Sequence, residues 1–190
     1  MRHLLLAACF LPLAFVSAPP RRPFQASTAA PAPKLKTVKQ TLAMIGTAST
    51  FYANLRAAKL DSMLNGSAKV QYTVFAPSNE AFIKLKEQGQ SWASSTGSGT
   101  DQHQLEQLLK FHIVPGRYPT EALKAGQVLR TQHGAFNIKV SAQGTRVFVS
   151  GTNTTPVELV NAYILCENGI IHLIDEALIP FVRQKPAVSR

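Results

Sequence analysis

Little in this 190-residue chain points to chemistry by cofactor or covalent staple. There are two cysteines, too few for a disulfide scaffold or a cysteine-rich zinc site. Acidic residues number only 10 against 20 Lys and Arg, so paired carboxylates are scarce, and none of the pairs has the look of a glycosidase couple. No Gly-x-Ser-x-Gly elbow, phosphate-cradling glycine loop or dinucleotide fingerprint is present. His103, His112, His133 and His172 contain no His-x-x-x-His pair, the helical spacing that a metal site favours. The reading is therefore no metal, no cofactor and no catalytic residue. Charged residues make up 16% and hydrophobic residues 45%, which excludes a disordered chain.

A basic surplus is what the composition does contain: the formal net charge is +10. Such a balance favours acidic partners. The cations are scattered rather than interleaved with aromatics, which argues against nucleic acid. Lys84 and Lys86 share one helical stretch, Lys110 and Arg117 flank another, and Arg130, Lys139 and Arg146 fall among strands. These seven are the candidate contacts for an anionic glycan, with a merely solvated basic surface as the plain alternative.

Met1 to Ala18 has the layout of a secretory signal peptide: Arg2, an apolar stretch from Leu4 to Val16, and Val16-Ser17-Ala18 at the cleavage position. The stretch is shorter than the roughly 20 residues a membrane span needs. A buried N-terminal helix is the alternative, disfavoured by Pro19, Pro20 and Pro23 directly after it. Leu6-Ala7-Ala8-Cys9 also matches a lipoprotein box, which would anchor the chain. Cleavage after Ala18 would leave Cys166 as the sole cysteine, read either as a buried thiol or as a reactive one. Residues 19–36 read as a flexible Pro- and Ala-rich basic tether, 37–182 as the folded domain, and 183–190 as a tail. No hydrophobic C-terminal tail of the GPI type follows. The expected location is extracellular, or the periplasm or cell surface of a bacterium.

Val38, Leu42 and Ile45 recur at helical spacing, and a second helical stretch runs from Phe51 through Leu64. Tyr72 to Phe75 is β-prone and stopped by Ala76-Pro77, with Ser78 placed to cap the next helix. Residues 89–100, with Trp92, read as a loop. Leu105, Leu108, Leu109 and Ile113 mark a helix ended by Pro115-Gly116, and a short one is expected over Pro119–Lys124. Strands are expected around Phe136–Val140 and Val147–Val149, with more buried ones over Pro156–Leu165 and Ile170–Ile174. Helices first and strands afterwards indicate an α+β fold. Asn168-Gly169 reads as a turn in which the glycine supplies a cheap positive φ. His112 and His172 sit in apolar runs and read as core histidines bonded to the backbone. Asn65-Gly66-Ser67 and Asn153-Thr154-Thr155 fit the glycosylation sequon.

Three segments together resemble the fasciclin domain: Thr73-Val74-Phe75-Ala76-Pro77-Ser78-Asn79-Glu80-Ala81-Phe82, then Leu108-Leu109-Lys110-Phe111-His112-Ile113-Val114-Pro115-Gly116, then Asn168-Gly169-Ile170-Ile171-His172-Leu173-Ile174-Asp175 through Pro180. The resemblance implies a wedge-shaped β-sandwich with helices packed at one end. It also implies a non-enzymatic role in adhesion or matrix contact, with extracellular or cell-surface proteins or anionic glycans as partners. Phe111 replaces the Tyr of the family's Tyr-His pair, and Ile174 to Leu178 lacks a clear Asp-Ile match, so integrin binding is not carried over. The runner-up is a small-ligand or enzymatic pocket near Phe75 and His112. A third reading is a structural envelope protein.

Overall fold

Apolar spacing and capping set the first elements of the computed structural model, which describes residues 34–66, 70–88, 99–151, 155–160 and 163–180. The expected signal peptide with Cys9, the tether up to residue 33, residues 89–98 with Trp92, Asn153 and the tail lie outside the described residues. Helix α1 (Val38–Leu42) opens with a capping box: Thr37 Oγ1 accepts the Gln40 N–H, and the Gln40 side chain accepts the Thr37 N–H. Helix α2 (Ser49–Ala57) buries Phe51 and Leu55.

α2 is shorter than the periodicity from Phe51 to Leu64 predicts. Lys59 takes a left-handed φ of 56°, the Leu60 N–H reaches back to Leu55 O at 2.9 Å and the Lys59 N–H to Arg56 O at 3.0 Å. This is a Schellman ending with lysine where glycine is the usual residue. Leu60, Met63 and Leu64 still join the core, but from a turn and a 3-10 segment (Met63–Asn65).

Strand β1 (Tyr72–Pro77) pairs parallel with β8 (Gly169–Ile174) along its whole length and antiparallel with β2 (Ile113–Pro115) over its first half. Two expectations change here. β1 continues through Ala76 and Pro77, because the donor that proline lacks would point to the same side as the Phe75 N–H, and β2 has already ended there. Ile113 starts a strand instead of closing a helix: β1 offers a ladder partner, Val74 opposite Ile113, and β-branched Ile113 and Val114 take it. Helix α3 (Asn79–Glu87) follows β1, with Ser78 Oγ accepting the Ala81 N–H at 3.3 Å. Helix α4 (Gly99–Phe111) precedes β2, and α5 (Thr120–Leu123) follows it.

Strands β3 (Gln127–Arg130), β4 (Asn137–Gln143), β5 (Arg146–Ser150) and β6 (Val157–Glu158) form an antiparallel sheet in chain order. β7 (Ile164–Cys166) returns to the first sheet, whose order is β2-β1-β8-β7. The expected single strand over Pro156–Leu165 is thus two short ones in different sheets, and Val160 beyond β6 and Leu165 within β7 are exposed.

Alternation along β1 explains the layering. Tyr72, Val74 and Ala76 join Ile171 of β8 and the α1, α2, α3 and α4 side chains in one core, while Phe75 and Ile174 join Leu129, Ile138, Val140, Val147 and Val149 of the second sheet in another. The first sheet is the middle layer, buried on both faces. That is why β1 and β8 read as nearly unbroken apolar runs. The class is α+β: two sheets packed face to face, with helices against the outer face of one.

Candidate functional site

The motif residues converge on the middle layer, and Thr73, Ser78, His112, Asn168 and His172 are tied to main chain. Thr73 is fully buried; its hydroxyl donates to Gly116 O at 2.9 Å and accepts the Tyr118 N–H at 3.0 Å. It thereby pins the turn after β2 to β1. Gly116 has φ of 105°, and a Cβ there would also strike the Tyr118 ring, so glycine is required twice over. Val74, Phe75 and Ala76 are core residues, and Phe111 is fully buried in the second core.

His112 is wholly enclosed. Nδ1 lies 2.8 Å from Leu108 O, and Nε2 lies 3.0 Å from the Leu178 N. An amide can only donate, so Nε2 accepts and the proton sits on Nδ1. This neutral tautomer satisfies both nitrogens. Burial pushes the imidazole pKa down to about 4, opposed by the bond to Leu108 O. Phe51 packs on the ring at 5.8 Å. A ring with both nitrogens committed to main chain has no lone pair or proton left for a substrate, and Phe75 is equally enclosed. The pair therefore lines no open surface for a ligand.

Asn168 is the second hub. Its Oδ1 accepts the Val38 N–H at 2.8 Å, and its Nδ2 donates to Leu64 O at 2.9 Å and Gly66 O at 3.1 Å. One buried amide ties the start of α1, the Met63–Asn65 turn and the β7–β8 hairpin together. Gly169 beside it corrects the expectation of a positive φ: its backbone is not left-handed. The glycine is needed because a Cβ would overlap the Tyr72 carbonyl oxygen and press on Val38 Cγ2.

His172 stacks on Phe75 with ring centroids 5.5 Å apart, and its Nε2 donates to Tyr118 O at 2.9 Å. Its Nδ1 is buried with no hydrogen-bond partner among the described residues. Burial lowers its pKa, against the pull of the Tyr118 carbonyl and Glu121. Asp175 is exposed just past β8. Cys166 is buried with its thiol 3.3 Å from Thr41 Oγ1, and burial pushes its pKa up.

The seven basic candidates do not form one patch. Lys84 and Lys86 lie on α3, where Lys84 faces Glu176 at 3.8 Å. Lys110 pairs with Glu106 one helical turn earlier, at 2.6 Å. Arg117 is exposed in the turn after β2. Arg130, Lys139 and Arg146 stand together on the outer face of the second sheet, with Arg146 Nε 3.4 Å from Glu158. Asn65 is exposed at the end of its 3-10 turn. An open cleft of about 310 Å³ lies elsewhere, between the end of α2 and α4, lined by Ala57, Lys59, Gln102, His103 and Glu106 among others.

Sequence reasoning assigned no role to Asn79. Its Oδ1 accepts the Thr50 N–H at 2.9 Å and its Nδ2 donates to Gly46 O at 2.9 Å, so a residue of α3 caps α2. No local signal announces such a cap, because donor and acceptor are about 30 residues apart in the chain. Tyr118 carries no such signal either, because it acts through its main chain.

Comparison with known proteins agrees with this architecture. The family model described as the fasciclin domain matches residues 46–180. Transforming growth factor-beta-induced protein ig-h3 of Sus scrofa is 34% identical over 143 residues, covering 75% of this chain and 19% of that protein. Protein sll1483 of Synechocystis sp. is 29% identical over 144 residues, covering 76% of this chain and 73% of its own. The chain therefore spans about a fifth of the first relative and most of the second. Among solved structures, a FAS1 domain pair from the insect cell adhesion molecule Fasciclin I superposes with a TM-score of 0.67 at 20% identity, over 76% of this chain and 51% of that one. With the three motifs in place on the two-sheet fold and the family model spanning most of the chain, this protein belongs to the fasciclin-domain family.

Proposed function

We propose that the chain is a secreted, non-catalytic fasciclin module that acts by surface recognition of extracellular or cell-surface proteins or anionic glycans. The observation that carries this reading is the placement of polar groups. Thr73, His112 and Asn168, three motif residues with chemical capacity, are buried and bonded to main chain. The exposed charge is predominantly basic. Adhesion is the printed description of the Fasciclin I relative, and the basic surplus supports an acidic partner. None of the described helices is long and apolar enough to cross a membrane. In this reading residues 1–18 are removed as a signal peptide, 19–36 tether the domain, 37–182 form it and 183–190 trail it. Asn65 and Asn153 carry glycans where the host attaches them.

The test is secretion followed by binding. The full 190-residue sequence is expressed in a secreting host, and the product in the medium is sized and its N-terminus read. The same material is then applied to an array of matrix proteins and glycans at two salt concentrations. A product beginning at Pro19 that is retained on the array supports the reading. Retention on nothing at either salt refutes it.

A further inference from the structure

The outer face of the second sheet is an ordered surface with a charge pattern of its own. Inward residues Leu129, Ile138, Val140, Val147 and Val149 are buried. Their neighbours Val128, Arg130, Asn137, Lys139, Ser141 and Arg146 point outward and are exposed. The register places them. Arg130 is opposite Asn137, two residues before Lys139. Lys139 is opposite Ser150, two residues after Phe148, and Arg146 lies two before Phe148. Diagonal neighbours on a sheet face stand about 7–8 Å apart, and alternate residues of one strand about 7 Å. Arg130, Lys139 and Phe148 therefore lie on one diagonal across three strands, and Arg146 continues the row along β5, for roughly 20 Å in all.

From this geometry we infer that the outer face of the β3–β6 sheet binds an anionic polysaccharide laid along the Arg130–Lys139–Phe148–Arg146 row. The inference rests on the recognition role proposed above and names its surface. A single phosphate or carboxylate is held by converging cations. Here the cations are strung out in a line on rigid strands, which suits repeated acid groups along a polymer. Phe148 is half-buried in the middle of that line, with Ser141 directly opposite and Ser150 two residues along. An aromatic ring bordered by hydroxyls fits the apolar face and hydroxyl rim of a sugar. Val128, 59% exposed and opposite Lys139, adds an apolar ledge. Arg130 and Lys139 have no ion pair among the described residues, so neither must abandon a carboxylate to bind. Glu158, opposite Phe148, holds Arg146 and is the one carboxylate on this face among the described residues.

The experiment uses the full chain as secreted, with heparin and hyaluronan as probes and neutral dextran as the uncharged control. The variant pair Arg130→Gln/Lys139→Gln is compared with Lys84→Gln/Lys86→Gln, an equal loss of charge on α3, beyond the middle layer. The inference expects the sheet pair to weaken heparin binding at least tenfold and to make it less salt-dependent, while the α3 pair changes it less than threefold. Glu158→Gln should tighten binding two- to fivefold. Phe148→Leu should weaken hyaluronan binding at least threefold with its melting temperature unchanged. Equal losses from the two lysine and arginine pairs would overturn the inference by reducing it to net charge. So would displacement of heparin by an oligo-dT of matched charge at equal concentration. Absence of heparin and hyaluronan binding in the wild-type chain would also overturn it. In that case binding to matrix proteins by the same sample would leave the broader recognition role standing, and its absence would remove both.

Discussion

Acid should destabilise this protein through His112, and the size of the effect follows from its surroundings. In the folded chain the ring is neutral, with Nε2 accepting the Leu178 N–H and Nδ1 donating to Leu108 O. Its folded pKa is about 4 against an ordinary 6.5. No charged group perturbs it; burial lowers it and the Leu108 bond alone opposes. Above pH 6.5 neither the folded nor the unfolded chain binds this proton, and the full stability is present. As pH falls from 6.5 towards 4 the unfolded chain takes up the proton and the folded chain does not, so stability declines across that window. At 1.36 kcal/mol per pKa unit the loss is about 3 kcal/mol. That is a large share of the roughly 5–15 kcal/mol that holds a domain together. His172 and His133, also lowered by burial, act with the same sign. The assay is urea unfolding at several pH values between 4 and 7.5 for wild type and His112→Gln, beside NMR of the imidazole nitrogens. The expected results are a steep wild-type dependence, a flatter one in the variant, and a His112 ring that keeps its Nδ1–H tautomer at pH 5.5. A ring that titrates near 6.5, or a variant with undiminished pH dependence, would refute the reasoning.

Three further outcomes are expected from urea titrations at pH 7. Asn168→Ala strands the buried Val38 N–H and frees two carbonyls from their donor, which should destabilise the fold by about 3 kcal/mol or more, at roughly 1–3 kcal/mol per unsatisfied group; a loss under 1 kcal/mol would show that the hub is dispensable. Gly169→Ala drives a Cβ into the Tyr72 carbonyl, so β1 and β8 must separate, and a loss of about 3 kcal/mol or failure to fold is expected, among the larger effects of single substitutions. Lys59→Gly should stabilise by about 1 kcal/mol, since it relieves a left-handed lysine at a helix end; destabilisation would mean that the lysine side chain matters more than its backbone.

Much of this architecture was legible along the chain because its causes are local. Thr37 and Ser78 cap helices that begin within three residues of them. The alternation Ile138, Val140 and Val147, Val149 reflects a sheet with one wet face and predicts the strands that form. The misreadings are those where a distant partner decides. Ile113 looks helical until β1 supplies its ladder. Pro77 looks like a stop until the pairing with β2 is seen to end at Val74. Gly169 looks like a turn glycine until Tyr72 of a strand nearly 100 residues away is seen pressed against it. Basic residues spread through the sequence gave no hint that Arg130, Lys139 and Arg146 share one sheet face, because that depends on register across three strands.

The sequence by itself determined the α+β class, the basic character and the fasciclin-domain membership, since each rests on composition, periodicity or contiguous motifs. Only the tertiary structure decided which main-chain groups His112 and Asn168 hold, and which cations face one way. Those properties belong to hydrogen bonds and neighbours contributed by distant segments, and a one-dimensional pattern carries no information on which segments will meet.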